Sequence, residues 1–148
     1  MSDLPPELTS IRDDFLALEV NDRLVLLLQL LLEFSNELPE LPAQYADHPD
    51  LLERVVECQA PVFIFVDVGS NHLVSIYATA PKEAPTTRGF ASIIVKGLSG
   101  LDSDGVLAVP DDFPHTLGLG EAISPLRLRG MTALLGRVKR QVREKTTA

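Results

Sequence analysis

The chain has 148 residues, 45% of them hydrophobic, a net charge of −8 and a single cysteine, Cys58. That length suits one domain, expected over residues 1–148, with a core that needs neither disulfides nor metals. A lone thiol excludes an internal disulfide, a cysteine-rich zinc site and a set of thiolates able to hold a cluster. The acidic balance excludes nucleic acid as the main partner, since phosphate binding is driven by clustered Lys and Arg.

Charge is uneven along the chain. Residues 1–57 carry 13 acidic against 3 basic side chains, and residues 58–148 carry 8 against 10, a polarity that solvated helix faces readily produce. No N-terminal stretch has the basic, apolar, small-residue order of a signal peptide. The most apolar run, Leu24 to Leu32, is too short to span a bilayer and is interrupted by Gln29. We therefore expect a cytoplasmic protein with no membrane partner, in keeping with the absence of paired cysteines.

In chain order, Pro5-Pro6 opens a first helix whose Leu8, Ile11, Phe15 and Leu18 recur at helical spacing. Asn21 is a suitable cap for a second helix, nearly all apolar from Leu24 to Phe34 and so expected to be buried on most sides. Prolines 39 and 42 make Glu37 to Pro42 an extended connector. Asp47 or His48 then starts a short helix through Pro49 to Arg54, which delivers the chain to Cys58.

Residues 61–68 and 72–79 are rich in β-branched and aromatic types and flank Gly69-Ser70-Asn71, which reads as a β-hairpin. After the Pro81 to Pro85 loop, Phe90, Ile93, Ile94, Gly97, Leu98 and Leu101 restore helical spacing, with Thr86 or Thr87 as cap. Asp111 to Leu117 reads as a short helical turn. Ser124-Pro125 is an N-cap and N1 pair for a last helix with Met131, Leu134, Leu135, Val138 and Val142 on one side. Its Arg137, Lys139, Arg140, Arg143 and Lys145 suit a helix C-terminus. The result is an α+β fold with helices packed on one face of a small antiparallel sheet.

Asp102-Ser103-Asp104-Gly105 resembles part of a calcium loop, but position 113, where the loop's glutamate would fall, is Phe113. His48, His72 and His115 lack zinc-ligand spacing and read as surface or capping residues. No phosphate-binding glycine loop and no nucleophile elbow occurs, and none of the local signatures of cysteine proteases surrounds Cys58. No metal and no cofactor of the chain's own is expected.

Cys58 is the candidate that remains. Free cysteines are usually inert small hydrophobes, but Val56-Glu57-Cys58-Gln59-Ala60-Pro61 places this one among a carboxylate, an amide and a helix breaker, which reads as a turn near the surface. Glu57 beside it disfavours the thiolate.

The chain resembles the SufE family, the sulfur-acceptor partners of cysteine desulfurases. The likeness rests on Phe15-Leu16, Arg23-Leu24, Leu38-Pro39-Glu40-Leu41, Cys58-Gln59, Val62-Phe63, Ile94-Val95-Lys96-Gly97-Leu98, Leu117 to Leu119, Ser124-Pro125, Arg127 and Gly130-Met131, in that order. It implies the α+β fold described as SufE/IscU-like. It implies further that Cys58 accepts persulfide sulfur from a pyridoxal-phosphate-dependent, SufS-like desulfurase for iron-sulfur cluster assembly, with an iron-sulfur scaffold complex as a further partner. Gln59 is then the motif companion of Cys58, and Arg127 a contact that stabilises thiolate or persulfide. Lys96 and Gly97 match the pattern but are expected to snorkel and to permit close packing. Such a protein is a sulfur-transfer accessory rather than a stand-alone enzyme. The alternatives are a non-catalytic module that docks on a desulfurase and regulates it without accepting sulfur, and an iron-sulfur scaffold.

The chain departs from the family pattern at four places. Glu57 stands where a glycine usually precedes the cysteine, Arg88 to Ser92 replaces a Gly-Asp-Ser-Asp-like run, Leu126 replaces a serine, and Ala122 replaces a histidine.

Overall fold

A computed structural model describes residues 4–17, 23–46, 48–117 and 123–147. Helix α1 spans Pro6–Leu16, and proline at its start supplies the helical φ where no hydrogen-bond donor is needed. It buries Leu8, Ile11 and Phe15, with Phe15 stacked on Phe34 of α2 at 6.3 Å between ring centroids. Leu18 and the expected cap Asn21 lie outside the described residues.

Helix α2, Arg23–Asn36, departs from the expectation of a helix buried on most sides. Leu27 and Leu31 are fully buried, but Val25, Leu28 and Leu32 face solvent, with Val25 70% exposed. Helix α4, Pro85–Leu98, covers only one side of α2, so composition alone overstated its burial.

The connector ends in a four-residue helix α3, Ala43–Ala46, which the two prolines had hidden. The expected helix from Pro49 is a single 3₁₀ turn, Pro49–Leu51. Leu52 is already extended, and Glu53–Arg54 form strand β1, with Glu53 opposite Ile64 and Arg54 opposite Phe63. Pairing with a neighbouring strand overrides a local sequence that also suits helix. Cys58 therefore follows a strand rather than a helix.

Strands β2, Phe63–Val68, and β3, Val74–Thr79, form the predicted hairpin, antiparallel from Phe63 opposite Thr79 to Val68 opposite Val74. Asn71 Oδ1 accepts from the Leu73 amide at 3.2 Å, and His72 takes the positive φ of 65° that the turn requires. The sheet order is β1-β2-β3. Ile64, Val66, Val74, Ile76 and Ala78 point to one face and are buried there, α4 lying on β3 and α6, Pro125–Thr147, on β2. On the other face Tyr45 of α3 leans on Phe65 and Tyr77, at 5.0 and 4.9 Å. The architecture is thus α+β, with the long helices on one face of a small antiparallel sheet.

Two glycines set the helix spacing. A Cβ at Gly89 would stand 2.3 Å from the Leu31 carbonyl oxygen, and one at Gly97 would stand 2.2 Å from Leu8 Cδ2, so α4 approaches α2 and α1 too closely for a side chain at either position. Lys96 lies over the Phe34 ring at 5.8 Å and pairs with Glu37, as expected of a snorkelling residue. Arg88, in the divergent run, donates to the Ser35 carbonyl at 2.9 Å and to the Ala80 carbonyl, tying α2 to the start of α4.

The start of α4 also departs from expectation: its N-cap is Ala84, without a side-chain cap, and Thr86 and Thr87 fall inside the first turn. The calcium-loop fragment is a helix start instead. Asp102 Oδ1 accepts from the Gly105 amide at 2.8 Å and caps α5, Ser103–Leu107. A 3₁₀ turn at Phe113–Leu117 fills the predicted helical turn. Ser124 Oγ accepts from the Arg127 amide at 3.2 Å, as expected of the cap of α6, and Met131, Leu134, Leu135, Val138 and Val142 are all buried. Among the described residues no helix is long and apolar enough to cross a membrane.

Candidate functional site

Cys58 sits at the turn of a tight loop that closes the β1-β2 hairpin. Val55 and Val62, both fully buried, hold the loop's base through a Val55 amide to Val62 carbonyl bond of 2.9 Å. Within the loop the Cys58 amide donates to the Val55 carbonyl at 3.0 Å, which turns the backbone sharply. Val56, Glu57 and Gln59 are exposed, as expected of a surface turn, but the Cys58 side chain points inward and is only 6% exposed.

Gly130 of α6 makes room for it. The Cys58 thiol donates to the Gly130 carbonyl at 3.6 Å, and a Cβ at Gly130 would lie 3.2 Å from Sγ and 3.3 Å from the Glu57 carbonyl oxygen. The loop therefore rests directly on the helix backbone. This contact left a trace in the sequence, because an interior helical glycine costs about 1 kcal/mol against alanine and tends to mark close approach.

Beside the sulfur lies a cleft of about 470 Å³. Its walls are the Cys58 loop, the first turn of α4 and the first turns of α6, and they include Gln59, Thr86, Leu126 and Arg127. The three residues singled out by sequence, Cys58, Gln59 and Arg127, thus share one cavity. Arg127 is exposed, with Nη1 donating to Thr86 Oγ1 at 3.4 Å. Leu126, where the family pattern has serine, adds apolar wall. Position 122 lies outside the described residues.

The electrostatics of this arrangement favour the protonated thiol. Burial, reinforced by the Glu57 charge and opposed by Arg137, pushes the Cys58 thiol up to about 11. Glu57 in turn is held below the usual carboxylate range, first by its hydrogen bonds from Arg137. Burial alone would raise Glu53, but donors from Arg137, Gln141 and Arg140 outweigh it and keep its carboxyl low. Arg137 spans both acids, with Nη1 2.6 Å from Glu53 Oε2 and Nη2 2.7 Å from Glu57 Oε1.

Sequence reading placed Arg137 only among the cations of a helix C-terminus, and it gave Gly130 and Glu53 no role at the site. Their meeting depends on a hairpin and a helix far apart in the chain. His48, His72 and His115 are all exposed, and none lines the cleft among the described residues. Nor does any group of three or more His, Cys, Asp or Glu there stand ready to hold a metal ion.

Comparison with known proteins places the chain in a family. Residues 9–142 match the family model for SufE, the Fe-S metabolism associated domain. An uncharacterized SufE-like protein of Mycobacterium tuberculosis is 49% identical over 141 residues, covering 95% of this chain and 94% of that protein. The SufE-like protein 1, chloroplastic/mitochondrial, of Arabidopsis thaliana is 30% identical over 105 residues, 71% of this chain and 27% of the plant protein. The solution structure of a hypothetical protein from Thermus thermophilus superposes with a TM-score of 0.81 at 39% identity, over 98% of this chain and 99% of that one. With the family model spanning nearly its whole length, the chain belongs to the SufE family, whose domain is associated with iron-sulfur metabolism.

Proposed function

We propose that the protein is a sulfur acceptor and carrier, taking persulfide sulfur onto Cys58 from a pyridoxal-phosphate-dependent cysteine desulfurase and stimulating that enzyme, in the cytoplasm, for iron-sulfur cluster assembly. The observation that carries the reading is a lone thiol on a short hairpin loop, folded inward beside an open cleft that also holds Gln59 and Arg127. Such a loop has a closed state that shields sulfur from water and an open state that reaches a partner.

Transfer is thiol-disulfide exchange with sulfane sulfur. The loop swings out, the Cys58 thiol sheds its proton to solvent, and the thiolate attacks the outer sulfur of the donor's cysteine persulfide. The S–S bond of the donor breaks as the new one forms, so Cys58 becomes a hydropersulfide and the donor cysteine leaves as thiolate. No net oxidation occurs. Leaving the buried position helps the first step, since water removes the desolvation that holds the proton on the closed thiol. On return, the Arg127 guanidinium in the cleft wall favours a persulfide anion. The cofactor chemistry belongs to the desulfurase.

The test is the intact mass of the chain after mixing with an active desulfurase and free cysteine. A reductant-sensitive gain of one sulfur, absent from Cys58→Ser, is the expected result. No gain with several active desulfurases removes the reading. Glu57 and the burial that keeps the thiol protonated favour the second reading, a regulatory module that docks without accepting sulfur. Undiminished stimulation by Cys58→Ser selects it.

A further inference from the structure

Arg137 holds a position that neither the Cys58 motif nor the cleft accounts for. It lies seven residues after Gly130 on α6, two turns along the same face. At the first of these positions the helix receives the thiol, and at the second it receives the loop's acid. Both Nε and Nη2 donate to Glu57 Oε1, at 3.1 and 2.7 Å, while Nη1 donates to Glu53 Oε2 at 2.6 Å.

The two carboxylates are not equivalent. Glu53 belongs to β1, is paired across the sheet with Ile64, and receives further bonds from Arg140 and from Gln141 at 2.9 Å. It is the anchored side. Glu57 lies in the loop, beyond the Val55-Val62 bond that closes the strand pair, and its hydrogen-bonded partner is Arg137. If the loop lifts, Glu57 departs with it, while Arg137 stays oriented on Glu53. A planar guanidinium suits this arrangement, since it presents donors to two carboxylates at once. The Glu57 and Arg137 side chains are 38% and 23% exposed, so their pairing is partly shielded and yet accessible to water when it breaks.

We propose that Arg137 is a positioning residue for Cys58, and that its bond to Glu57 is a latch that holds the Cys58 loop closed on α6. Glu57, the residue found where the family pattern has a glycine, thus replaces a flexible hinge with a fastening. The latch deepens the acceptor reading and rests on it only for the effect on sulfur transfer.

The experiment follows loop opening without the desulfurase, by backbone hydrogen exchange of residues 56–60 and by iodoacetamide labelling of Cys58. Wild type is compared with Glu57→Gln, Arg137→Gln, the double variant and Arg137→Lys at one pH. Removing a partly exposed pair accelerates exchange about fivefold in Glu57→Gln. In the Arg137→Gln background the same change adds nothing, because the bond is already gone, and Arg137→Lys regains part of the protection. Exchange also separates the latch from the effect of Glu57 charge on the thiol, since backbone amides do not report thiolate.

Unchanged exchange in Glu57→Gln overturns the latch, as does an equal acceleration in both backgrounds. Glu57 is exposed and its replacement spares the core, so loss of folding does not obscure the result. With an active desulfurase and cysteine, persulfide on Cys58 forms faster in Glu57→Gln by a similar factor. Faster exchange with no sulfur gained by wild type or variant keeps the latch and removes the acceptor reading.

Discussion

Replacing Gly130 by alanine sets two effects against each other at one atom. Alanine favours the interior of α6 by about 1 kcal/mol over glycine. The new methyl group, however, meets the loop at 3.2 Å from Cys58 Sγ, 3.3 Å from the Glu57 carbonyl oxygen and 3.4 Å from Cys58 Cα. Two of these three contacts are loop backbone, so rotating one side chain does not relieve them, and the loop must move as a unit. The mild end of overpacking, about 1 kcal/mol, is the expected penalty, and it falls on the closed loop alone. The helix term acts on open and closed states alike. Global stability therefore changes little, within about 3 °C in Tm for a chain of this size, while the open population and the iodoacetamide labelling of Cys58 rise about fivefold. Thermal melting and timed mass spectrometry of the labelled chain measure both quantities. Unchanged labelling with Tm raised by the full helix contribution would refute the claim that Gly130 seats the loop.

Other parts of the fold yield further outcomes. Gly97→Ala drives a methyl into the end of the Leu8 side chain and costs about 2 kcal/mol, and in a Leu8→Ala background the same change is harmless or stabilising by denaturant titration. Gly89→Ala meets the Leu31 backbone instead, costs about 3 kcal/mol, and is not rescued by Leu31→Ala. Gln141→Leu removes the acceptor for the Val66 amide, bonded at 2.9 Å on the part of β2 beyond β1, and costs about 1–3 kcal/mol of unfolding free energy. The buried thiol makes stability depend on alkaline pH. The folded chain holds the Cys58 proton up to about 11, while an unfolded thiol releases it near 8.5. The unfolded state therefore binds fewer protons between those values, and stability falls across that window. Denaturation of wild type and Cys58→Ser, compared over that pH range, shows the extra loss in wild type alone.

The hairpin, the burial of Leu8, Ile11 and Phe15, and the Ser124 cap of α6 were legible because each rests on a local periodicity or a short-range bond. Strand β1 was not, since Glu53 and Arg54 are extended only through pairing with Ile64 and Phe63. The exposed side of α2 was hidden for a related reason: a run of leucines states that a helix is apolar, but not how many neighbours reach it. Cys58, Gln59 and Arg127, singled out from the chain, line one cleft, but Gly130, Glu53 and Arg137 could not be joined to them from sequence.

The order of residues by itself determined that a lone thiol, in an acidic chain without phosphate loops or metal-ligand spacing, was the candidate for chemistry, and that it stood on a turn. Only the tertiary structure decided that this sulfur faces inward on Gly130, with Arg137 holding the acid beside it. Thiol burial and ion pairing are set by distances between elements more than 70 residues apart in the chain, and those distances arise only when the hairpin packs against α6.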